Sequence, residues 1–212
     1  MKTLRESYPA RSRQGYVLFL TGLYNAGQDA IARALQVTLN EQGGRSVTLV
    51  LDNGESQSDF GGVLIQRNLP VLNFEDLKGA TKVGKDLASI AFFTSELARA
   101  GAAVIVTSLA PKRQDQNQFL QTVLHRAGTG ANVFHVHVAT GLEHAESTDR
   151  RRVYARARRG ELGGLPGVSV EYETPEAPHL SVDVTAQGIP EIVHSKFTAH
   201  LFFSPSSAHC SW

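Results

Sequence analysis

The stretch that decides the fold reads Tyr16-Val17-Leu18-Phe19-Leu20-Thr21-Gly22-Leu23-Tyr24-Asn25-Ala26-Gly27-Gln28-Asp29-Ala30. Its first part is a strand-like, almost entirely apolar run, and two spaced glycines, Gly22 and Gly27, follow. This is the layout of a phosphate-binding loop, G-x-x-x-x-G-K-[ST], whose backbone amides surround phosphate oxygens at the start of a helix. The sequence therefore predicts a strand, an anion-binding turn and a helix, in that order.

Two residues of this loop depart from the motif. Gln28 stands in place of the lysine that reaches the phosphates, and Asp29 stands in place of the hydroxyl that ligates Mg²⁺. Without the lysine, the charge that stabilises the transferring phosphoryl group is missing. Asp29 brings negative charge towards nucleotide oxygens, although a carboxylate here can also cap the helix or ligate a metal. We therefore expect main-chain anion binding without efficient phosphoryl transfer; a glycine-containing turn with no ligand is the alternative.

The composition restricts the class of protein. The chain has 212 residues, 42% of them hydrophobic and 19% charged, with a net charge of +1, which fits one globular α/β domain. A nearly neutral chain gives no indication of nucleic-acid binding. The single cysteine, Cys210, excludes a disulfide framework. No secretory signal and no membrane-spanning run is visible, so we expect a cytoplasmic protein.

Strand and helix patterns alternate along the chain. Strands are predicted at 16–21, 46–51, 102–107, 132–138 and 180–184, and helices at 29–42, 85–99, 112–127, 142–148, 150–159 and 190–201. This alternation predicts an α/β fold, a P-loop-type doubly wound parallel sheet with helices on both faces, in three layers. Residues 1–14 are interpreted as a linker, 15–203 as the domain with an irregular insertion at 52–82, and 204–212 as a disordered tail.

Two further groups of polar residues are candidates for chemistry. Six arginines lie in the segment from Arg150 to Arg159, and guanidinium groups can clamp phosphates, although a solvated helix face is the better interpretation for any single one of them. His135 and His137 share one face of a strand, and a buried histidine pair explains them better than a metal site does. We predict no metal site from these residues.

The order of these motifs resembles the adenylylsulfate (APS) kinase family, and more closely the kinase-like C-terminal domain of filamentous-fungal ATP sulfurylase. The residues that carry the resemblance cover about two thirds of the chain and are Leu4–Pro9, Gln14–Gly15, Ala26–Leu35, Glu96–Ile105, Val136–Thr140, Leu142–His144, Tyr154–Glu161 and Tyr172–Glu176. In the fungal proteins this domain is an allosteric site for 3'-phosphoadenylyl sulfate (PAPS).

The resemblance implies a set of nucleotide-binding residues. They are Gly22, Leu23, Tyr24, Asn25, Ala26, Gly27, Gln28, Asp29, Ala30, Asp52, Asn53, Leu109, Ala110, Arg158 and Arg159. Several family features are missing: Leu165 stands where an aromatic residue would stack on a base, and Ser89 stands where an arginine would lie. We expect substrate recognition to be weakened together with phosphoryl transfer, and no catalytic residue is assigned.

These observations lead to one expected function and two alternatives. The expected function is binding of PAPS or APS, with ATP as a further candidate, by a regulatory domain of ATP sulfurylase, in contact with the catalytic part of that enzyme or in a homo-oligomer. The first alternative is an active adenylylsulfate kinase, which would need Mg²⁺ as its cofactor. The second is a structural oligomerisation domain without a ligand. The segments 54–82 and 195–212 match the family poorly and reflect either a real divergence or misread exon boundaries.

Overall fold

A seven-stranded sheet forms the centre of the molecule. The structure is a computed structural model and describes residues 15–42, 45–52, 63–66, 72–73, 87–127 and 132–197. The strands are β1 (Tyr16–Gly22), β2 (Val47–Asp52), β3 (Val63–Gln66), β4 (Leu72–Asn73), β5 (Ala103–Ser108), β6 (Asn132–Val138) and β7 (Leu180–Val182). The helices are α1 (Gln28–Gln42), α2 (Leu87–Arg99), α3 (Arg113–Ala127), α4 (Leu142–Ser147), α5 (Val153–Arg158) and α6 (Ile189–Ile192), which continues as one π-helical turn, Val193–Phe197.

The strand order places the loop after β1 at the carboxyl end of the middle one of five parallel strands. The strands lie in the order β4-β3-β2-β5-β1-β6-β7, and the five from β2 to β7 are mutually parallel. After β1 the chain runs to β2 on one side, whereas after β5 it crosses to β6 on the other side of β1. The loops that follow β1 and β5 therefore diverge, and such a switch point is where open α/β sheets bind their ligands.

Helices cover both faces of the sheet and produce the three layers that the sequence predicts. Alternate residues of β1 point to opposite faces, so Leu18 and Leu20 pack in one core and Val17 and Phe19 in the other. The first core is completed by α1, α6 and the π-helical turn, and the second by α2 and α3. The fold class predicted from the sequence is confirmed.

Two short parts of the segment from 52 to 82 that the structure describes are strands. The prediction of an irregular insertion is corrected at two places, because β3 pairs antiparallel with β2 and β4 pairs antiparallel with β3. The run Val63-Leu64-Ile65 is apolar, but a run this short has no periodicity that separates strand from helix. Both strands therefore become visible only through their pairing at the edge of the sheet.

Two helices differ from their predicted lengths. The arginine-rich helix predicted at 150–159 covers only 153–158, because Arg152 has a φ of 56° and Asp149 accepts the backbone N–H groups of Arg151 and Tyr154. The helix predicted at 190–201 is interrupted after Ile192 by the π-helical turn. The predicted linker 1–14, the tail 204–212 and Asn53 lie outside the described residues. None of the helices in the described part of the chain is both long and apolar enough to cross a bilayer.

Candidate nucleotide-binding site

The loop between β1 and α1 requires glycine at both motif positions. A Cβ atom on Gly22 would lie 2.8 Å from the carbonyl oxygen of Val138, and one on Gly27 would lie 2.9 Å from Cγ1 of Val184. Gly27 also has a φ of +107°, which other residues adopt only with strain. Inside the turn, the Ala26 N–H donates to the Leu23 carbonyl over 3.1 Å. The compact turn expected from the glycine spacing is therefore present, at the amino end of a helix.

Gln28, at the position of the motif lysine, is bonded inside this turn. Its side chain is buried, and its Nε2 atom donates a hydrogen bond of 2.9 Å to the carbonyl oxygen of Leu23. Its Oε1 atom is buried and has no hydrogen-bond partner among the described residues. A neutral amide thus occupies the interior of the loop, where the motif would place an ammonium group.

Asp29 faces the neighbouring strand. The hydroxyl of Thr107 on β5 donates a hydrogen bond of 2.8 Å to Oδ1 of Asp29 in the first turn of α1. In the usual P-loop arrangement the loop supplies a hydroxyl and the strand supplies a carboxylate, and together they hold Mg²⁺. Here the helix supplies the carboxylate, from Asp29, and the strand supplies the hydroxyl, from Thr107.

The loop is also attached to α4 and α5. Asn25 has a φ of 58°, and its Nδ2 atom donates to the carbonyl of Ala145 (2.8 Å) and to the hydroxyl of Thr148 (3.0 Å). The hydroxyl of Tyr154 donates to the carbonyl of Tyr24 over 2.7 Å, in a buried setting. Burial, followed by the nearby Asp149 carboxylate, raises the pKa of Tyr154, so this donor keeps its proton. These bonds hold the main chain of the loop in one conformation.

A small apolar core lies beneath these contacts. Its buried members are Tyr24, Ala145, Val153, Tyr154, Ala157 and Leu165. Leu165, at the position where the family has a stacking aromatic residue, is fully buried in this core. Leu109 packs against the same core, close to the loop. Leu165 therefore contributes to packing, and its side chain does not line an open surface.

Two histidines lie in the layer below the loop. His135 shares a hydrogen bond of 2.9 Å with Thr21, and His137 stacks on Tyr172 with ring centroids 6.0 Å apart. Burial, followed by the neighbouring His137 and His179, lowers the pKa of His135 to about 4. Burial also lowers the pKa of His137. Both rings are therefore neutral near pH 7, which agrees with the interpretation as a buried pair.

A groove of about 480 Å³ opens beside the loop. It is lined by Leu23, Leu142, Gly167, Val168, Ser169, Val170, Glu171 and Tyr172. The lining segment is attached to the start of α3, because the Glu173 carboxylate accepts hydrogen bonds from Lys112 Nζ (3.1 Å) and from the backbone N–H of Arg113 (2.9 Å). The predicted site residues include Leu23 from this groove and omit segment 167–172, whose signal in the sequence is the conspicuous Gly-Pro-Gly content around Gly167.

The predicted arginines lie in ion pairs. Arg158 forms a bidentate salt bridge with Glu146, in which Nε and Nη2 lie 2.7 and 2.6 Å from the carboxylate oxygens. Arg159 forms a bidentate salt bridge with Glu161, with the corresponding distances of 2.6 and 3.2 Å. Glu146 directly follows Ala145, the residue that accepts the Asn25 bond, so the first pair lies beside the loop. Hydrogen bonding to Arg158 lowers the pKa of Glu146. The guanidinium charge is therefore balanced by carboxylates on exposed parts of α4 and of the turn after α5.

The remaining predicted residues divide between the sheet edge and the interior. The backbone of Asp52 pairs with that of Ser108, so the end of β2 reaches the same edge as the loop. Ala110 is buried in the second core, and its carbonyl accepts a 2.8 Å hydrogen bond from Gln116. Within the described residues no group of three His, Cys, Asp or Glu side chains has the arrangement of a metal site.

A sheet with five parallel strands and a glycine loop at their switch point defines a protein of the P-loop α/β class. A family model described as adenylylsulphate kinase matches residues 14–183, and the chain belongs to this family.

Known proteins support this assignment at two levels. The chain is 47% identical over 197 residues to the sulfate adenylyltransferase of Coccidioides immitis and 48% identical over 194 residues to that of Aspergillus clavatus. Both matches cover 92% of this chain and 31% of the relative, so the chain spans about a third of these fungal enzymes. The Mycobacterium tuberculosis APS kinase CysC, solved in complex with AMPPNP and APS, has a TM-score of 0.70 at 21% identity, covering 90% of this chain and 99% of CysC, which shows the fold.

Proposed function

We propose that this chain is a regulatory domain that binds an adenylyl-sulfate nucleotide, PAPS or APS, and does not transfer phosphoryl groups efficiently. The observation that carries the proposal is the loop itself, which keeps its main-chain geometry around a neutral Gln28 amide. A cradle of backbone amides can bind an anion without a lysine, whereas phosphoryl transfer depends on charges placed at the reacting group.

Anion binding is supported by the amino end of α1. The first N–H groups of a helix have no intrahelical acceptor, and the helix dipole favours an anion at this end. At the start of α1, the first intrahelical bond of the loop joins the Ile31 N–H to the Gly27 carbonyl over 3.0 Å. The loop is also tied to α4 and α5, so little conformational entropy is lost when a ligand binds.

A weak or absent kinase activity is expected from the same loop. The Gln28 amide carries no charge and is bonded to the Leu23 carbonyl, so it offers no cation to a transferring phosphoryl group. Asp29 adds a negative charge close to the position of the nucleotide oxygens. Both changes raise the barrier for transfer more than they weaken binding of a single anionic group.

A regulatory role is favoured by the similarity to longer enzymes. The chain corresponds to 31% of the length of two fungal sulfate adenylyltransferases. A domain of this size that keeps a nucleotide cradle and lacks catalytic charges is suited to sensing a nucleotide on behalf of a catalytic partner. We propose the ATP sulfurylase catalytic part as this partner, with a homo-oligomer of the chain as the other arrangement.

Calorimetric titration of the purified chain with PAPS, APS and ATP tests the binding claim. We expect saturable heat with a sulfonucleotide, and a decrease in affinity on the order of tenfold when Arg158 and Arg159 are both replaced by alanine. The matched control is Arg126→Ala, because Arg126 stacks over Phe92 on α2, away from the loop. Absence of binding to any of the three nucleotides by a folded protein would leave the structural oligomerisation domain as the better interpretation.

A coupled assay of ATP-dependent 3'-phosphorylation of APS separates the proposal from an active kinase. We expect no turnover above background for the chain. The double variant Gln28→Lys, Asp29→Ser restores both motif residues, and we expect it to remain inactive because the arginine that the family has at its second strand is also absent. Substantial turnover by the unmodified chain with Mg²⁺ would overturn the regulatory proposal in favour of the kinase alternative.

A further inference from the structure

The contact between α1 and β5 brings together two groups suited to a divalent cation. The Asp29 carboxylate and the Thr107 hydroxyl are 2.8 Å apart, at the ends of the two elements that meet at the switch point of the sheet. A P-loop holds its Mg²⁺ with one hydroxyl and one carboxylate at these two elements. The exchange of the two groups changes which element supplies each ligand and preserves the pair of ligand types.

A second observation comes from the interior of the loop. Gln28 is 6% exposed, and its Oε1 atom is a buried acceptor without a partner among the described residues. The Nε2 atom of the same amide donates to the Leu23 carbonyl, which fixes the orientation of the amide within the loop. The Oε1 atom therefore remains available to a ligand. A buried oxygen without a hydrogen-bond partner costs folding free energy. A hydrated cation, alone or bound to a ligand, would supply the missing partner.

The charge of the loop also favours a cation. The motif loop offers a lysine to an incoming anion, whereas this loop offers a neutral amide and a carboxylate at positions 28 and 29. The Asp29 carboxylate therefore repels a polyanionic nucleotide that enters this loop without a cation. A divalent cation between Asp29 and the nucleotide oxygens converts this repulsion into attraction.

We propose that Asp29 and Thr107 hold a Mg²⁺ ion that accompanies the nucleotide into the loop, so that the cation replaces the missing lysine. The inference rests on the proposed function, because the nucleotide completes the site. Mg²⁺ is commonly bound by one or two carboxylates together with ligand phosphates and water, so a single carboxylate is sufficient only with the anion present. Nucleotide and cation therefore bind with positive coupling.

Binding of PAPS with and without Mg²⁺ tests the coupling. For the unmodified chain we expect an affinity that is at least on the order of tenfold higher in Mg²⁺ than in EDTA. Asp29→Asn keeps the size of the side chain and an acceptor for the Thr107 hydroxyl while it removes the charge, and it is expected to abolish the Mg²⁺ dependence. The matched control is Glu41→Gln, which removes one carboxylate from the exposed far end of α1 and is expected to leave the dependence intact.

Electron paramagnetic resonance of Mn²⁺ with pyrophosphate as the probe separates this inference from the proposed function. We expect the protein to immobilise Mn²⁺ when pyrophosphate is present, and Asp29→Asn and Thr107→Val to reduce this signal. If PAPS fails to bind but Mn²⁺ and pyrophosphate are retained through Asp29, the proposed ligand is wrong and the cation site stands. If PAPS binds equally in EDTA and Mg²⁺, and Asp29→Asn changes neither measurement, the cation site is refuted and the proposed function survives.

Discussion

The loop after β1 and the arginine segment around α5 are the two main parts of the predicted site, and they are stabilised in opposite ways. The loop from Gly22 to Gly27 is held by main-chain bonds, close packing and a buried tyrosine. Arg158 and Arg159 are exposed and held by carboxylates. The loop therefore owes its geometry to the fold, whereas the arginines have partners that another anion can replace. Substitutions in the two regions separate these two kinds of stabilisation.

The largest effect is expected from Gly27→Ala. The new Cβ atom would lie 2.9 Å from Cγ1 of Val184, and the residue would have to keep a φ of +107°. We expect the free energy of unfolding to fall by about 3 kcal/mol, measured by urea denaturation, and binding of PAPS to be lost in the folded fraction.

Gly163→Ala is the matched control for this substitution. A Cβ atom on Gly163 would meet nothing within 4 Å, and its backbone is not in the left-handed region. Stability and binding should stay close to those of the unmodified chain. Equal losses in both variants would mean that the loop does not depend on close packing at its second glycine.

Acid pH should weaken the support beneath the loop before it affects the arginine pairs. The pKa of His135 is lowered to about 4 by burial, below its ordinary value near 6.5, so the folded state binds fewer protons than the unfolded state as pH falls. Stability is fully present above the unfolded pKa and is lost as pH falls towards the folded one. We expect a loss of about 2 kcal/mol between about pH 7 and about pH 5, measured by urea denaturation at each pH.

The variant His135→Phe identifies the residue responsible. It keeps a ring beside Phe19, which stacks on His135 with centroids 5.3 Å apart, and removes the titrating group. The variant loses the hydrogen bond to Thr21, so its stability at neutral pH should be lower, but its stability should depend less on pH. An unchanged pH dependence would assign the effect to His137 or to another group.

A smaller effect is expected from Tyr154→Phe, which tests the attachment of the loop to α5. The substitution leaves the buried carbonyl of Tyr24 without its donor, at a cost of about 1.5 kcal/mol in the free energy of unfolding. Thr148→Val is the comparison, since it removes an exposed acceptor of Asn25 that water can replace. If both variants lose the same stability, burial does not distinguish the two contacts. Thermal unfolding monitored by circular dichroism measures both variants.

The fold follows from sequence patterns that the loop makes unambiguous. The apolar run of β1, the two glycines and the alternation of strands and helices predict the parallel sheet, its two helix layers and the loop at the sheet edge. The two antiparallel strands β3 and β4 are missed, because four and two residues give no measurable period and their pairing depends on the edge offered by β2. Local patterns thus predict elements that carry their own signal, and they miss elements that exist only through a neighbour.

The candidate site is less predictable than the fold for a related reason. The glycines of the loop are visible because backbone conformation restricts residue type, but the direction of a side chain is decided by tertiary contacts. The sequence therefore does not reveal that Gln28 turns back to Leu23, that Asp29 meets Thr107, or that Glu146 pairs with Arg158. Glu146 and Arg158 are more than ten residues apart in the chain. Local sequence patterns do not predict contacts over that distance.

The smallest effect on stability is expected from Arg158→Ala, which tests whether the arginine pairs contribute to the fold or are available to a ligand. Exposed ion pairs contribute little, because water and salt screen the charges and ordering two long side chains costs entropy. The pair with Glu146 is well formed but exposed, so we expect no measurable change in the midpoint of thermal unfolding. Affinity for PAPS should nevertheless fall, and added salt should reduce the difference between variant and unmodified chain.

Glu146→Gln provides the opposite check, because it releases the guanidinium from its carboxylate and should strengthen binding if Arg158 serves the ligand. A variant that unfolds at lower temperature but binds normally would show that the pair is structural, and the contrast with the loop would then disappear.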